Sequence, residues 1–274
     1  MVNNWHVAAA APTIGTMKRL GWLCCAAVTT TAIVGGAHAV TTGPSTPPEA
    51  DPSKRVRPLV VLDAGHGGSN PGGKNQITGL REKDVTLDVA RRVRSRLNTA
   101  GIDVVMTRDD DRTMTLRQRM MVANASNANL LLSIHTNASP TRTQRGFETY
   151  VLTPNAVDVD ARAIRRDALT TRPGMPADLG PLLDDIERGA AQWDAAEFAA
   201  DMQEQLETVR PADGNRGVRQ DAQHVLLGAT MPAALVEVGF LDHPLEGRDL
   251  AEEATREKLA DAISHAVALQ FNKN

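Results

Sequence analysis

The sequence predicts an α/β fold: a single domain in which a mixed, mostly parallel sheet carries helices on both faces. Two observations support this prediction. Short apolar runs alternate with longer segments in which apolar residues recur every three or four positions, as they do in helices. The apolar runs are mostly unbroken, which is typical of strands that are covered on both sides.

The predicted elements follow one another from Leu59 onward. Val85 and Val89 belong to an apolar series spaced by four, which predicts a helix over 84–100. Residues 155–194 interrupt the order with weak helical patterns around a Pro-Gly-Met-Pro break, and we interpret them as a helical insertion before the last strands. The other predicted helices cover 116–126, 195–209 and 252–271, and the predicted strands cover 59–63, 103–107, 130–135, 146–152, 224–227 and 233–240.

The first 39 residues have the pattern of a secretory signal peptide, with Met17 as an alternative initiator. A basic start is followed by an uncharged apolar stretch over 20–36 and by the small residues Ala37-His38-Ala39. The alternative is a retained membrane anchor, although a run of about 17 residues is short for a span. Residues 40–57, rich in proline and threonine, are interpreted as a linker. We therefore expect export to the periplasm, with secretion or wall association as alternatives, and no stable membrane span after processing.

The composition excludes several kinds of site. The chain has 30 basic and 33 acidic residues, a balance that argues against nucleic-acid binding. Aromatic residues make up only 3% of the chain, which argues against a groove that stacks on bases or sugars. Cys24 and Cys25 both lie in the leader, so a metal site in the processed chain would have to use histidine and carboxylate ligands.

Two histidines directly follow predicted buried strands. His66 lies in a glycine-rich loop after the first strand, and His135 ends the apolar run 130–134. Side chains at the carboxyl ends of neighbouring parallel strands meet at one edge of the sheet. Each histidine taken alone could equally be a surface turn residue, and His224 is an alternative ligand.

One carboxylate lies on an otherwise apolar stripe of the first helix. Glu82 shares that stripe with Val85 and Val89, where burial of a carboxylate is costly unless it is paired or bound to a metal. The alternatives are that Glu82 complements the helix N-terminus or pairs with Arg81. Together with two histidines it would form a three-ligand set that leaves a zinc coordination position open, as in catalytic zinc sites.

A second carboxylate, Glu237, lies within the apolar strand predicted over 233–240. Burial there would raise the pKa of its carboxyl group, which suits a general acid and base beside a metal centre. The alternative is a structural ion pair with an arginine such as Arg117 or Arg219.

Several blocks of sequence, in the same order, resemble the catalytic domain of the zinc-dependent N-acetylmuramoyl-L-alanine amidases of the type 3 family. The similarity covers about 59–271, with 155–194 aligning poorly, so the predicted catalytic domain is 58–272. The matching blocks are VVLDAGHGG (60–68), the helix start at Glu82, LRQRMMVAN (116–124), LLLSIHTNA (130–138), GFETYVL (146–152) and MPAALVEVGFLDHP (231–244).

The resemblance implies that His66, Glu82 and His135 hold one Zn²⁺ per chain and that Glu237 is the catalytic acid and base. It implies peptidoglycan as substrate, cut between N-acetylmuramic acid and L-alanine during wall remodelling or daughter-cell separation. Asp63 is a further candidate, which could orient a ligand histidine from outside the metal site or could cap a turn. Asn137 and the pair Arg117 and Arg119 could make substrate or structural contacts.

The resemblance also raises a hypothesis of autoinhibition. Some cell-separation members carry a helical segment that covers the zinc until an activator protein displaces it, and residues 155–194 could act in this way through acids at 158–160 or 182–187. The alternative is a solvated surface helix. Two other functions stay open: another zinc peptidase or deacetylase acting on wall peptides, and a non-catalytic wall-binding regulator, which we would expect to lack Glu237 or a ligand.

Overall fold

A computed structural model describes residues 57–153, 179–211, 214–223 and 225–272, all within one compact unit. The predicted leader, most of the predicted linker, and residues 155–178 of the predicted insertion lie outside the described residues. The elements in chain order are β1 (Leu59–Ala64), α1 (Glu82–Thr99), β2 (Asp103–Met106), α2 (Leu116–Ala125), β3 (Leu130–Asn137), β4 (Phe147–Leu152), α3 (Leu179–Val209), β5 (Asn215–Asp221), β6 (Ala233–Phe240), α4 (Glu246–Ala251) and α5 (Glu253–Asn272).

The six strands form one sheet in the order β2-β1-β3-β6-β4-β5. Strands β2, β1, β3 and β6 are parallel, whereas β4 runs antiparallel to β6 and parallel to β5. This confirms a mixed, mostly parallel sheet. The register places His135 of β3 opposite Glu237 of β6, and Glu237 opposite Glu148 of β4, so the three side chains form one row across the sheet.

Helices pack on both faces of the sheet, as predicted. On one face, α1, α3 and α5 enclose a core that includes Val60, Leu132 and Val236. On the other face, Met120 and Ala123 of α2 join a second core. Since alternate residues of a strand point to opposite faces, the row of His135, Glu237 and Glu148 lies on the same side as α2.

The strand predicted at 224–227 is wrong over 225–227, and His224, the alternative ligand, lies outside the described residues. Residues 225–228 form a turn in which Leu226 is fully buried, so the apolar run reflects a turn that packs into the second core. The fifth strand is instead β5, seven largely polar residues that the sequence analysis did not identify. Among the described strands, β5 pairs only with β4, and an edge strand with exposed side chains carries no apolar pattern.

Helix α3 runs without interruption from Leu179 to Val209, across the boundary predicted at 194. Its second half buries Phe198, Met202 and Leu206 against the sheet, whereas Trp193 in its first half is exposed. The closing helix predicted over 252–271 is confirmed as α5 (Glu253–Asn272), and the short helix α4 before it was not predicted. Within the part of the chain that the structure describes, no helix is long and apolar enough to cross a membrane.

Candidate metal centre

The structure brings His66, Glu82 and His135 together at the carboxyl end of the parallel strands. One ligand atom from each lies within 4.8 Å of the others. Glu82 lies between the imidazoles, with Oε2 3.0 Å from His66 Nε2 and Oε1 3.0 Å from His135 Nδ1. The ring centroids of the two histidines are 5.0 Å apart. Two nitrogens and one carboxylate therefore face a common point.

The glycine-rich loop after β1 shapes the position of His66. His66 adopts a left-handed backbone conformation (φ 58°), which a histidine rarely takes and which the surrounding contacts must hold. Its Nδ1 lies 3.0 Å from Asn70 Oδ1, an oxygen that also accepts from the Gly72 amide. Asn70 Oδ1 can only accept, so Nδ1 is the donor in this contact, and the other ring nitrogen, Nε2, faces Glu82 Oε2.

Two glycines leave the space that the side chains of His135 and Glu82 fill. A Cβ on Gly65 would lie 2.5 Å from the His135 ring, and a Cβ on Gly72 would lie 2.5 Å from Glu82 Oε2. Both distances are far inside van der Waals contact. The pattern of glycines in this part of the sequence is therefore a packing requirement of the site as well as a turn signal.

Glu82 is buried and ionised. Burial alone would raise the pKa of its carboxyl group, but hydrogen bonds and charge from His135 and His66 hold that pKa far below its usual range. Its oxygens also accept from the backbone amides of Gly73 (2.8 Å) and Thr136 (3.0 Å). These contacts place the carboxylate toward the histidines, so pairing with Arg81 does not explain its burial.

Glu237 lies beside this cluster, opposite His135 on the neighbouring strand. Its Oε2 is buried and has no hydrogen-bond partner among the described residues. Burial, together with the negative charges of Glu82 and Glu148, raises the pKa of the Glu237 carboxyl group well above its ordinary value. The arginine pair considered as an alternative is not formed, because Arg219 contacts Glu148 instead.

Glu148 is a buried residue of this region that the sequence analysis did not single out. Its Oε1 accepts from Asn137 Nδ2 (2.7 Å) and Tyr150 OH (3.0 Å), and its Oε2 accepts from Nε of Arg216 (3.0 Å) and Arg219 (3.3 Å). Asn137, a predicted substrate contact, is thus bound to a protein carboxylate. The signal that could have identified Glu148 is a lone acid within the apolar run of β4.

The orienting contact predicted for Asp63 is not formed. Its Oδ1 accepts from Thr107 Oγ1 (2.6 Å) and Arg119 Nη1 (2.7 Å), and its Oδ2 accepts from Ser133 Oγ (2.7 Å). Buried donors therefore engage both oxygens, and neither oxygen contacts an imidazole. Burial would raise the pKa of Asp63, but the charge of Arg119 and these hydrogen bonds lower it.

Arg119, rather than Arg117, connects α2 to the metal centre. Arg119 is buried and donates to the backbone carbonyls of Ala64 and His66 as well as to Asp63. Arg117 is two positions away on the same helix, which turns it to a different side, and it is exposed. Asp63 thus supports the backbone of the His66 loop through Arg119.

Comparison with known proteins is consistent with this site. The family model described as N-acetylmuramoyl-L-alanine amidase matches residues 60–268, a range that includes both histidines, Glu82 and Glu237. The N-acetylmuramoyl-L-alanine amidase AmiC of Neisseria meningitidis is 31% identical over 227 residues, which cover 79% of this chain and 53% of that protein. AmiA of Escherichia coli is 31% identical over 225 residues, which cover 78% of this chain and 76% of that protein.

A solved structure has the same fold. The CwlD amidase from Clostridioides difficile, solved in complex with the GerS lipoprotein, aligns with a TM-score of 0.62 and 25% identity over 80% of this chain and 100% of that one. The present chain spans about half the length of the Neisseria relative. The family match covers most of the described residues, and the chain therefore belongs to the N-acetylmuramoyl-L-alanine amidase family.

Proposed function

We propose that this protein is a zinc-dependent hydrolase that cleaves the amide between N-acetylmuramic acid and L-alanine in peptidoglycan, in wall remodelling or daughter-cell separation. The observation that carries the proposal is the position of Glu237 directly beside a group of two histidines and one carboxylate, with a buried Oε2 that has no hydrogen-bond partner among the described residues. The family match supports the choice of bond.

The donor set of the metal centre fits Zn²⁺. Imidazole nitrogens and a carboxylate are ligands that zinc takes, and three protein ligands leave a position for water or substrate. The ionised state of Glu82 and the direction of His66 Nε2, which faces that carboxylate, suit a divalent cation. His66, Glu82 and His135 would hold the ion, which when bound would polarise the substrate carbonyl and increase the acidity of water.

Glu237 would move the proton in the reaction. It would take a proton from the attacking water and then deliver that proton to the alanine nitrogen as the amide bond breaks. A neighbouring cation favours the ionised carboxylate, the form that a base requires. With no hydrogen bond or ion pair on Oε2 in the described residues, Glu237 has an oxygen free for a substrate proton.

The test is digestion of purified sacculi with analysis of product masses. We expect release of free stem peptides that begin with L-alanine, loss of activity with a chelator, and recovery when zinc is added. Glu237→Gln should retain zinc by metal analysis and lose turnover by about a hundredfold or more.

Other products would contradict the proposal. A peptidase would release fragments cut within the stem, a deacetylase would release acetate, and a non-catalytic regulator would bind sacculi and release nothing. Retained turnover in Glu237→Gln would refute the role of that residue.

We also propose export through the leader at 1–39, and a mature protein that begins at Val40 would support this.

A further inference from the structure

The row of functional side chains continues beyond Glu237 to a pair of arginines. In the order of the strands, His135 lies on β3, Glu237 on β6, Glu148 on β4, and Arg216 and Arg219 on β5. Neighbouring strands are about 4.8 Å apart, so β5 lies about 10 Å from β6. The arginines are thus on the side of Glu237 opposite the metal centre.

The two arginines hold more positive charge than their partner can balance. Glu148 is their shared carboxylate, and all four of its hydrogen bonds are taken by protein donors. One carboxylate compensates one guanidinium. Among the described residues, the cluster therefore carries one excess positive charge beside the proposed catalytic acid.

The two arginines differ in how fully they are engaged. Arg216 donates to Glu148 and Gln144, and it lies over the Phe240 ring at 5.1 Å. Among the described residues, Arg219 makes one side-chain hydrogen bond, from Nε to Glu148, and its side chain is 48% exposed. Its two terminal nitrogens thus have no partner within the described ranges, and a planar pair of N–H donors matches a carboxylate.

We propose that Arg219 binds a carboxylate of the stem peptide on the substrate, and that Glu148 and Arg216 hold it in place for this purpose. The proposal rests on the proposed function. An extended peptide advances about 3.3 Å per residue, so a carboxylate within about two residues of the scissile amide would reach an arginine that extends from β5. The arginine thereby distinguishes stems that carry a free acid from stems that carry the neutral amide.

The test uses two muramyl peptides that differ only in whether the second stem residue bears a free carboxylate or a carboxamide. For the wild type we expect KM to be about tenfold or more lower for the carboxylate peptide, because a charge-assisted hydrogen bond is made only with it. Arg219→Gln should raise KM for that peptide by about 10- to 100-fold with a much smaller change in kcat, and should leave KM for the carboxamide nearly unchanged.

Two further variants make the result specific. Arg219→Lys retains the charge but not the paired donors, and we expect it to recover part of the discrimination. Arg91→Gln, on α1 and paired with Asp109, removes an equivalent charge elsewhere and should change neither KM. Equal KM for both peptides in the wild type, or equal losses on both in Arg219→Gln, would overturn the arginine assignment alone. A wild type that cleaves neither peptide would overturn the proposed function and this inference with it.

Discussion

At the scale of single residues, Glu148 and Glu237 show how the environment divides the roles of two neighbouring acids. They face each other across β4 and β6. Glu148 is bound by four protein donors, whereas Oε2 of Glu237 has no partner in the described residues. A fully hydrogen-bonded carboxylate is poorly suited to proton transfer, and an unsatisfied one reduces stability, so this contrast supports Glu237 as the proposed reactive acid.

Glu237 should therefore lower the stability of the metal-free protein as pH rises. Its pKa is raised in the folded state, so its stability contribution is complete below the unfolded pKa, about 4.3, and is lost as pH rises toward the folded pKa. We expect metal-free Glu237→Gln to match the wild type near pH 4 and to exceed it above that. The gap in unfolding free energy should grow by up to about 1.4 kcal/mol per pH unit in this window.

Chemical denaturation at several pH values, with a chelator present, measures this gap. Glu148→Gln is the matched control, and it should be less stable than the wild type because it loses an ion pair with two arginines. If the unfolding free energies of Glu237→Gln and the wild type changed in parallel with pH, ionisation of Glu237 would not destabilise the metal-free protein.

At the scale of elements, the junction of β1 and α1 positions two of the three proposed metal ligands. Arg108 is fully buried and donates to the carbonyls of Ala64, Gly65 and Lys83, which ties the end of the strand to the first turn of the helix. Arg119 adds the contact from α2 to the His66 carbonyl. The geometry of the site thus depends on two buried arginines that never contact the ligand side chains.

The regulatory role of residues 155–194 stays a prediction at this scale. Residues 154–178 lie outside the described part of the chain, and the remainder forms the first half of α3.

If an acid from this segment occupies the open metal position, replacing the acids at 158–160 and 182–187 with their amides should raise activity on sacculi several-fold without an activator. The expected cause is loss of a ligand that competes with substrate. Glu204→Gln, an exposed change in the second half of α3, is the control. Unchanged activity in the amide variants, with zinc still bound, would argue for a plain surface helix.

At the scale of the whole molecule, three helices cover one face of the sheet, and the candidate metal centre and Glu237 lie on the side of the other face. Three helices, α1, α3 and α5, pack on the first face. On the second face, the described residues that pack on the sheet come chiefly from α2 and from the turn region that includes Leu226. The metal centre sits at the carboxyl ends of the parallel strands, where ligands bind in open α/β sheets.

Zinc should stabilise the whole fold, because its proposed ligands come from the β1–α1 loop, the start of α1 and β3. At a zinc concentration of 100 times Kd, we expect about 2.7 kcal/mol of added stability, or a rise in Tm of about 5–10 °C. Gly65→Ala should reduce this rise, because the added Cβ displaces the His135 ring.

Thermal unfolding with and without zinc measures this effect. Gly189→Ala is the control, since a Cβ there meets nothing within 4 Å. A full zinc-dependent rise in Gly65→Ala would show that His135 is not held as proposed, and no rise in the wild type would argue against zinc in this site.

The sequence by itself determined the fold class, most of the strands and helices, and the two histidines and the glutamate that the structure brings together as a candidate metal centre. This was possible because buried parallel strands leave long apolar runs, so that a histidine or glutamate within or after one is easily detected. The same reasoning missed β5 and took the turn at 225–228 for a strand, because an exposed edge strand has no apolar pattern and a buried turn does.

Only the tertiary structure decided which polar groups pair with which. Asp63 and Glu237 look alike in the sequence, each an acid in an apolar strand, yet one is engaged by Arg119 and the other is left without a partner on one oxygen. The strand order β3-β6-β4-β5 aligned His135, Glu237, Glu148 and the arginines in one row. Register and strand order arise from packing between distant segments, so no local pattern encodes them.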